Sequence, residues 1–411
     1  MPPSTAHQDE PTAIDSAAPL RAFARPPRLL LVATVPVTLR SFLFPYARHF
    51  RALGWRVDGA AAQVSDCPDC RREFDQVFDI PWSRSPLRPS NLFSAPGVLR
   101  RVVAAGDYDL VHATTPVAAF VMRHALRTLR RRGRPRLIYT AQGFHFHGQN
   151  SAAANLAFRS LERLAGRWTD FLVVVNRDDH AAARRYRLVP EDRLCYMPGI
   201  GIDLRHYSAQ SVSDAETSAI RGELGLGPEH RLFLMVAELS RRKRPEDAVE
   251  AFHRLARPEA RLALAGDGPL EAQVRQRIRA LGLAGRVLLL GRRRDVPALM
   301  RAAVATVLTS RQEGLPRVVK ESMALETPVL GTRIRGTEEL LENGCGLLFE
   351  VGDVEQLTRH MAWVLDHPAA ARELATRARQ RIEAYDERHI VRLHEELYAR
   401  ALREAVPGSR A

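Results

Sequence analysis

The chain has 411 residues and a formal net charge of +14, with 45% hydrophobic and 26% charged residues. This length predicts two to three domains, and the composition is that of an ordinary soluble globular protein. Four scattered cysteines are too few for a disulfide framework, and no segment approaches the ~18 uninterrupted apolar residues of a membrane span. The net positive charge favours anionic partners, which include nucleic acid, phosphorylated substrates and acidic lipid surfaces.

The first 27 residues are polar and rich in Ala, Pro and Ser. They lack the basic region and apolar core that a secretion signal requires, so 1–27 is predicted to be a disordered leader. The protein is therefore expected to be cytoplasmic, or peripheral on the inner face of the cytoplasmic membrane. Cys67 and Cys70 form a lone CxxC, which indicates an ordinary loop in a reducing cytoplasm rather than a zinc or redox site.

Short apolar runs alternate with helical patterns in the first half of the chain. A helix is predicted at 41–53, ending at Gly54. Strands are predicted at 29–33, 55–62, 110–112, 137–140 and 171–175. Strands alternating with helices predict a parallel sheet covered on both faces.

A polar stretch at 208–216 interrupts this pattern before the alternation restarts. Strands are predicted at 232–237, 261–265, 287–290, 304–308 and 329–330, and helices at 245–255 and 270–281. The predicted fold class is α/β, with two doubly wound, Rossmann-like domains at 28–207 and 217–387 and a cleft between them. The segment 388–411 is predicted to be a helix against the first domain, although periodicity does not determine its packing.

The most informative segment is 308–321, where a strand is followed by a loop and a helix. Pro316 suits the first position of that helix, whose free amides and positive dipole end make a diphosphate site. Gly314 lets the backbone approach a phosphate or sugar closely. Glu313 is placed to bond a sugar hydroxyl, and Glu321 to accept both hydroxyls of a ribose. Two glutamates eight apart arise easily by chance, so the alternative is a pair of solvated helix-surface charges.

Two further turns follow strands in the second half. Lys243, in the basic run 241–244, is placed to neutralise a leaving diphosphate; a solvated basic loop is the alternative. Gly266 and Gly268 form a tight turn between strand and helix, which many α/β proteins contain. In the first half, Gln142 and His145 lie in 139–147 after a strand. Aromatic and histidine side chains there favour a sugar-binding floor, and a hydrogen-bonded loop histidine is the alternative.

Together these residues resemble the retaining glycosyltransferases of family 4, which have the GT-B fold, and in particular their capsule and exopolysaccharide branch. The resemblance covers 28–411. Glu313 and Glu321 match the family's E-x7-E pair, 314–316 its glycine turn and Lys243 its phosphate-binding lysine. The N-terminal pieces 35–40, 84–91, 111–112 and 199–203 and the turn 266–269 also fit.

The resemblance implies that the first domain binds the acceptor and the second the nucleotide-sugar donor. The implied donor-binding residues are Glu313, Gly314, Leu315, Glu321, Lys243, Arg241, Gly266, Gly268 and Arg292. The implied acceptor-binding residues are Thr38, Arg40, His112 and His145, and the implied catalytic residues are Glu313, Lys243, Gln142 and His145.

Two positions depart from the family pattern. Glu238 stands where similar enzymes often carry an arginine, so Lys243, helped by Arg241 or Arg242, must neutralise the diphosphate. Gln142 stands where many relatives have a histidine, and it cannot titrate near neutral pH. These departures leave open a degenerate, non-catalytic homologue.

The resemblance implies transfer with retention from a UDP-sugar, without a protein nucleophile. No DxD-like metal site is evident, so the reaction is predicted to be metal-independent, with the nucleotide-sugar as co-substrate. Related enzymes commonly extend sugars on undecaprenyl diphosphate. Two stretches, 42–51 and 123–136, combine apolar and basic residues and favour an anionic membrane surface as partner; core packing and a solvated helix end are the alternatives.

Two other functions compete. A nucleotide-sugar epimerase of the same fold would use a similar diphosphate site. A basic nucleic-acid-binding protein finds support only in 123–136 and lacks a recognisable module, so no nucleic-acid partner is predicted.

Overall fold

The computed structural model describes residues 25–83, 85, 88–129, 135–148 and 150–403. The chain folds into two compact units. Of the described residues, those within Met1–Val175, Asp179–Met197 and Val391–Ala411 form the first unit, and those within Asn176–Asp178 and Pro198–Ile390 form the second. The polar stretch 208–216 lies inside the second unit. The predicted leader lies outside the described residues except for 25–27.

The first unit is built on a seven-stranded parallel sheet of order β3-β2-β1-β4-β5-β6-β7. Its strands are β1 (Arg28–Val32), β2 (Arg56–Ala61), β3 (Val77–Asp79), β4 (Leu110–Ala113), β5 (Arg136–Ala141), β6 (Phe171–Val174) and β7 (Leu194–Tyr196). Leu30 and Val32 pack on one face of the sheet, whereas Leu29 and Leu31 pack on the other. A run of four consecutive buried residues therefore serves two cores, as expected for a strand covered on both sides.

Helices cover both faces of this sheet. They are α1 (Pro36–Thr38), α2 (Phe44–Ala52), α3 (Pro68–Glu73), α4 (Ala95–Gly106), α5 (Pro116–Leu126), α6 (Ala152–Gly166) and α7 (Arg177–Arg185). A π-helical turn, Leu39–Leu43, joins α1 to α2, so helical structure begins five residues before the predicted 41. Short 3-10 turns lie at Val64–Asp66, Pro89–Asn91 and Glu191–Arg193.

The second unit contains a six-stranded parallel sheet of order β10-β9-β8-β11-β12-β13. Its strands are β8 (Arg231–Val236), β9 (Ala260–Ala265), β10 (Val287–Gly291), β11 (Ala305–Leu308), β12 (Val329–Thr332) and β13 (Leu347–Phe349). The chain order reverses between β8 and β11, which pair directly. Such a switch point places two loops side by side at the carboxyl edge of the sheet, where ligands of open α/β sheets bind.

The helices of the second unit cover its sheet in the same way. They are α8 (Asp214–Glu223), α9 (Pro245–Leu255), α10 (Glu271–Ala280), α11 (Val296–Ala302), α12 (Arg317–Ala324), α13 (Thr337–Leu341), α14 (Val354–Asp366) and α15 (Pro368–Arg381). Two 3-10 turns lie at Ala209–Ser211 and Ile382–Tyr385. The predicted doubly wound α/β class is thus confirmed.

The last helix is α16 (Glu387–Arg403). Leu397 and Tyr398 are fully buried in the same core as Leu29 and Phe50 of the first unit. The chain therefore completes the first unit after leaving the second. Among the described residues, no helix has both the length and the apolar character to cross a membrane.

Candidate functional site

The loops after β8 and β11 meet at the switch point of the second sheet. The N–H of Arg311 donates to the carbonyl oxygen of Arg242 at 2.8 Å. The hydroxyl of Thr309 donates to the carbonyl oxygens of Lys243 and Arg244 at 2.7 and 2.9 Å. These bonds hold the basic loop against the loop that carries Glu313. The sequence of either loop alone does not reveal this contact.

Glu313 and Lys243 form an ion pair across the two loops. The Nζ of Lys243 lies 2.5 Å from Oε1 of Glu313, and an Arg242 nitrogen lies 3.3 Å from Oε2. The two paired side chains are 13% and 10% exposed. Burial works to raise the pKa of Glu313, but the charges of Lys243 and Arg242 outweigh it and hold that pKa below its ordinary value. The carboxylate is therefore ionised at neutral pH and accepts hydrogen bonds only.

Helix α12 starts one residue later than predicted. Pro316 has extended backbone angles, φ −67° and ψ 120°, and is the N-cap, so the first helical residue is Arg317. Gly314 accepts a hydrogen bond from Nδ2 of Asn176 at 3.1 Å through its carbonyl oxygen. A Cβ at Gly336 would lie 1.9 Å from that oxygen, so a glycine is required there for the close approach. Leu315 follows, half-buried.

Glu321 lies inside α12 and is buried. Arg317, one turn earlier, donates to its Oε1 at 2.8 Å. The hydroxyl of Tyr207 also bonds this carboxylate, and burial together with the charge of Glu321 raises the pKa of Tyr207. Neither glutamate is the solvated surface charge of the alternative interpretation, because both are largely buried and paired.

The glycine turn packs directly on the loop after β8. A Cβ at Gly266, where φ is +147°, would lie 1.9 Å from the carbonyl oxygen of Ala237. A Cβ at Gly268, where φ is +158°, would lie 2.5 Å from the carbonyl oxygen of Leu239. Leu239 in turn donates its N–H to the carbonyl oxygen of Asp267 at 2.8 Å. The two glycines therefore support the loop that carries Lys243.

The remaining predicted donor residues are more exposed. The Nε of Arg292 lies 2.7 Å from Oδ2 of Asp267 in the glycine turn, with an exposed side chain. Arg241 is exposed, as is Glu238, the residue that departs from the family pattern. Arg242, rather than Arg241, assists Lys243 at the Glu313 carboxylate.

His112 lies inside the sheet of the first unit and is almost fully buried. Its Nδ1 lies 2.5 Å from the hydroxyl of Tyr398, and its Nε2 lies 2.7 Å from the hydroxyl of Thr140. Burial, with a smaller contribution from His394, lowers its pKa well below the ordinary value. Both ring nitrogens are thus engaged by the protein, and contact with an acceptor would require breaking those bonds.

The other predicted residues of the first unit differ in burial and in their partners. Thr38 is buried in α1, and Arg40 is exposed and paired with Asp69 at 3.2 Å. His145 is exposed, with its ring 5.5 Å from that of Phe158. The Nε2 of Gln142 is buried without a hydrogen-bond partner among the described residues. A donor in that state is a place where a ligand atom would restore a lost hydrogen bond.

The predicted sugar-binding floor is wrong in its aromatic part. Phe144 and Phe146 are buried in the core and stack at 4.7 Å, because the sheet and α7 enclose the loop after β5. The rings therefore stabilise the loop from below and do not face a substrate.

The two apolar-and-basic stretches that favoured a membrane surface also belong to the fold. Leu43, Phe44, Tyr46 and Phe50 are buried in the core, because α2 packs against β2. Their neighbours Arg48 and Arg51 pair with Glu73 and Asp75. Arg123 is buried and bonds Glu162 at 2.9 Å, so the second stretch does not begin as a solvated helix end; its residues 130–134 lie outside the described ones.

The CxxC has a structural use. Cys67 is the N-cap of α3, and its Sγ accepts the N–H of Cys70 at 3.3 Å. Burial and the neighbouring Cys67 raise the pKa of the Cys70 thiol to about 12. Across the described ranges, no group of three or more metal-ligating side chains is found.

Sequence reasoning missed Lys320, a residue of α12 that directly precedes Glu321. It is fully buried and its Nζ donates to the carbonyl oxygen of Gly201 at 3.2 Å. Burial, with a smaller contribution from Arg317, lowers its pKa to about 7. A signal was available: Lys243 and Lys320 are the only lysines of the chain, which otherwise uses arginine. An ammonium can lose its proton when buried, whereas a guanidinium cannot.

Two family profiles and one relative of known name match most of the chain. The profile described as "Glycosyl transferase 4-like domain" matches 39–199, and "Glycosyl transferases group 1" matches 216–381. EpsD of Bacillus subtilis, provisionally named a glycosyltransferase, is 30% identical over 375 residues, which are 90% of this chain and 96% of EpsD.

Two further proteins are informative. The "UDP-Gal:alpha-D-GlcNAc-diphosphoundecaprenol alpha-1,3-galactosyltransferase" of Escherichia coli is 26% identical over 275 residues, which are 65% of this chain and 69% of that protein. HepE of Anabaena, in a crystal structure with UDP, superposes with a TM-score of 0.76 at 22% identity, covering 91% of this chain and 100% of HepE. At that identity the likeness concerns the fold.

Proposed function

The chain belongs to the glycosyltransferases, and we propose that it is a retaining enzyme of family 4, in the capsule and exopolysaccharide branch. In this proposal it moves a sugar from a UDP-sugar to a lipid-linked or polysaccharide-precursor acceptor. The observation that carries the proposal is the pair of Lys243 and Glu313 at the switch point of the second sheet. The transferase names of the two curated relatives favour transfer over the epimerase alternative.

The cluster carries a net positive charge, which suits a diphosphate donor. Lys243 and Arg242 carry two positive charges against the one negative charge of Glu313. A diphosphate at the start of α12 would meet this excess together with the free amides of the helix. Because the pKa of Glu313 is held low, its carboxylate stays ionised and is suited to accept the hydroxyl hydrogens of a sugar.

Retention in this scheme needs no covalent intermediate. The bond from the anomeric carbon to the diphosphate oxygen breaks, and a bond to the acceptor oxygen forms on the same face. The acceptor proton passes to the departing diphosphate. Lys243 and Arg242 stabilise the charge that develops on that leaving group, so the rate depends on their position.

The acceptor part of the proposal rests on relatives. The printed name of the Escherichia coli protein specifies a sugar on diphosphoundecaprenol as its acceptor. We extend this chemistry to the present chain as an acceptor on undecaprenyl diphosphate, reached from the inner face of an anionic membrane. We also propose that no metal ion takes part, and that transfer proceeds unchanged in EDTA; loss of turnover after chelation, restored by a divalent cation, would contradict this.

A donor panel tests the function. UDP- and GDP-sugars are added to the full chain, and the melting temperature is measured. A donor at a hundredfold excess over its Kd stabilises the folded protein by about 2.7 kcal/mol. We expect a UDP-sugar to give the largest rise and Glu321→Ala to abolish it.

A matched control separates binding from folding. Glu355→Ala removes another carboxylate that pairs with an arginine four residues away, Arg359, on the exposed face of α14. It should keep the full donor response. If Glu321→Ala also keeps it, or if no nucleotide sugar stabilises the wild-type chain, the proposal fails.

A further inference from the structure

Helix α6 (Ala152–Gly166) of the first unit presents leucines to solvent. Leu156, Leu161 and Leu164 are 59%, 46% and 41% exposed. Their spacing places them on one side of the helix, with Ala153 and Ala157 between them. A surface helix normally turns such a stripe toward the core.

The opposite side of α6 faces the protein, and it carries polar side chains as well as Phe158, which packs against the core. Oδ1 of Asn155 accepts the N–H of His147 at 3.0 Å, and Nδ2 donates to the carbonyl oxygen of His147 at 2.9 Å. Glu162 accepts from the buried Arg123 at 2.9 Å. These bonds and the packing of Phe158 fix the orientation of the helix, and this orientation leaves the leucines on the outward side.

The C-terminal end of α6 borders an open basic depression of about 910 Å³. Six arginines line it, against one acidic residue, Glu191, which is paired with Arg184 at 2.8 Å. The arginines are Arg163, Arg167, Arg184, Arg185, Arg187 and Arg193. Arg163, in the last turn of α6, and Arg167, the C-cap residue of that helix, are exposed. The apolar stripe and the basic depression are therefore one continuous surface.

We propose that this surface docks the enzyme on an anionic phospholipid bilayer, with the leucines of α6 among the headgroups and the arginines on lipid phosphates. The inference rests on the proposed lipid-linked acceptor and assigns the membrane contact to a surface other than 42–51. An apolar stripe flanked by cations is the pattern of helices that lie in a membrane interface. Clustered arginines near an acidic leaflet add attraction.

A second copy of the chain suits the surface less well. A symmetric dimer brings the same patch of both copies together. Six arginines would then face six arginines, and like charges across an interface oppose association. A phosphate-bearing bilayer complements the charge and covers the leucines together.

Flotation with vesicles tests the surface. The full chain is mixed at low salt with vesicles of phosphatidylcholine alone, or of two parts phosphatidylcholine to one part phosphatidylglycerol. We expect binding only to the mixed vesicles. Arg163→Ser with Arg167→Ser should lower the partition coefficient about thirtyfold, since each basic residue near an acidic leaflet contributes about fivefold. Exchange of Leu156, Leu161 and Leu164 for Gln should lower it about fortyfold or more.

Matched variants control for charge and for exposed leucine. Arg279→Ser with Arg372→Ser removes the same charge from exposed positions of the second unit. Leu53→Gln changes a leucine that is also 46% exposed, next to α2 on the other face of the sheet. Both should bind within twofold of the wild type.

Three results would overturn the proposal. They are no binding of the wild type to mixed vesicles, equal loss in the controls, or a dimer in sedimentation that the leucine variants convert to a monomer. The rise in melting temperature on addition of UDP is measured separately from vesicle binding. Absence of that response would contradict the proposed function alone, and loss of vesicle binding with the response intact would concern α6 alone.

Discussion

Two groups of predicted site residues end up in different surroundings. In the second unit, Lys243 and Glu313 lie on loops beyond the strand ends, and their pair retains some exposure. In the first unit, His112 lies within a strand, and Tyr398 and Thr140 occupy both of its nitrogens. A ligand can reach the pair of Lys243 and Glu313 at the surface, whereas the core encloses the imidazole of His112. Position relative to the strand end, and not residue type, separates the two.

Lys243→Met should have the largest effect. It removes the cation nearest Glu313 and, in the proposed reaction, the main stabiliser of the leaving diphosphate. We expect kcat/KM for sugar transfer to fall about a hundredfold to a thousandfold, as on loss of one preorganised charge-stabilising group. Initial rates with the donor found in the panel measure this.

The outcome for Arg241 sharpens the same comparison. Arg241→Met changes an exposed cation two residues away that belongs to the predicted donor set. If its effect equals that of Lys243→Met, general positive charge on the loop matters and the specific pair does not.

His112→Ala should act on stability instead. The change leaves the hydroxyls of Tyr398 and Thr140 buried without their partner and opens a cavity, and we expect a loss of about 3 kcal/mol in the free energy of unfolding. Activity per folded molecule should change by less than about threefold, because the imidazole is enclosed. Urea denaturation and initial rates on the same preparation measure both. A hundredfold loss of activity at unchanged stability would return His112 to the acceptor site.

The fold was predictable because buried runs such as 29–33 and 232–237 and their spacing define parallel strands. The meeting of Lys243 with Glu313 was not readable from their separation of 70 residues; it follows from the order of β8 and β11. The switch point brings their loops together. The resemblance supplied both residues without that geometry.

Which face of a helix is buried was harder to predict from the sequence than the fold. A stretch such as 42–51 has the same apolar spacing whether it faces a core or a membrane, and the structure places it in the core. In α6 the leucines face outward, while Asn155, Glu162 and Phe158 lie on the inward side. Periodicity finds the two faces of a helix but does not state which one the protein covers.

Lys320→Met should have the smallest effect and should depend on pH. The pKa of Lys320 is about 7 in the folded protein and 10.5 for the free side chain. Between these values the unfolded chain holds the proton and the folded chain has lost it, so the contribution of this group to stability rises with pH. Below about pH 7 both states are protonated and the destabilisation is at its full extent. Above about 10.5 it disappears.

Lys320→Met has no titrating group at this position. The difference in the free energy of unfolding between the variant and the wild type therefore separates the titration of Lys320 from that of all other groups. Arg317, Glu321 and Glu387 face Lys320 and remain in both proteins. We expect Lys320→Met to be the more stable protein near neutral pH, and its advantage to shrink by about 2 kcal/mol between about pH 7 and pH 9. Urea denaturation at the two pH values measures the change. A constant difference would mean that Lys320 keeps its proton in the fold, and that its bond to Gly201 offsets the cost of burying the charge.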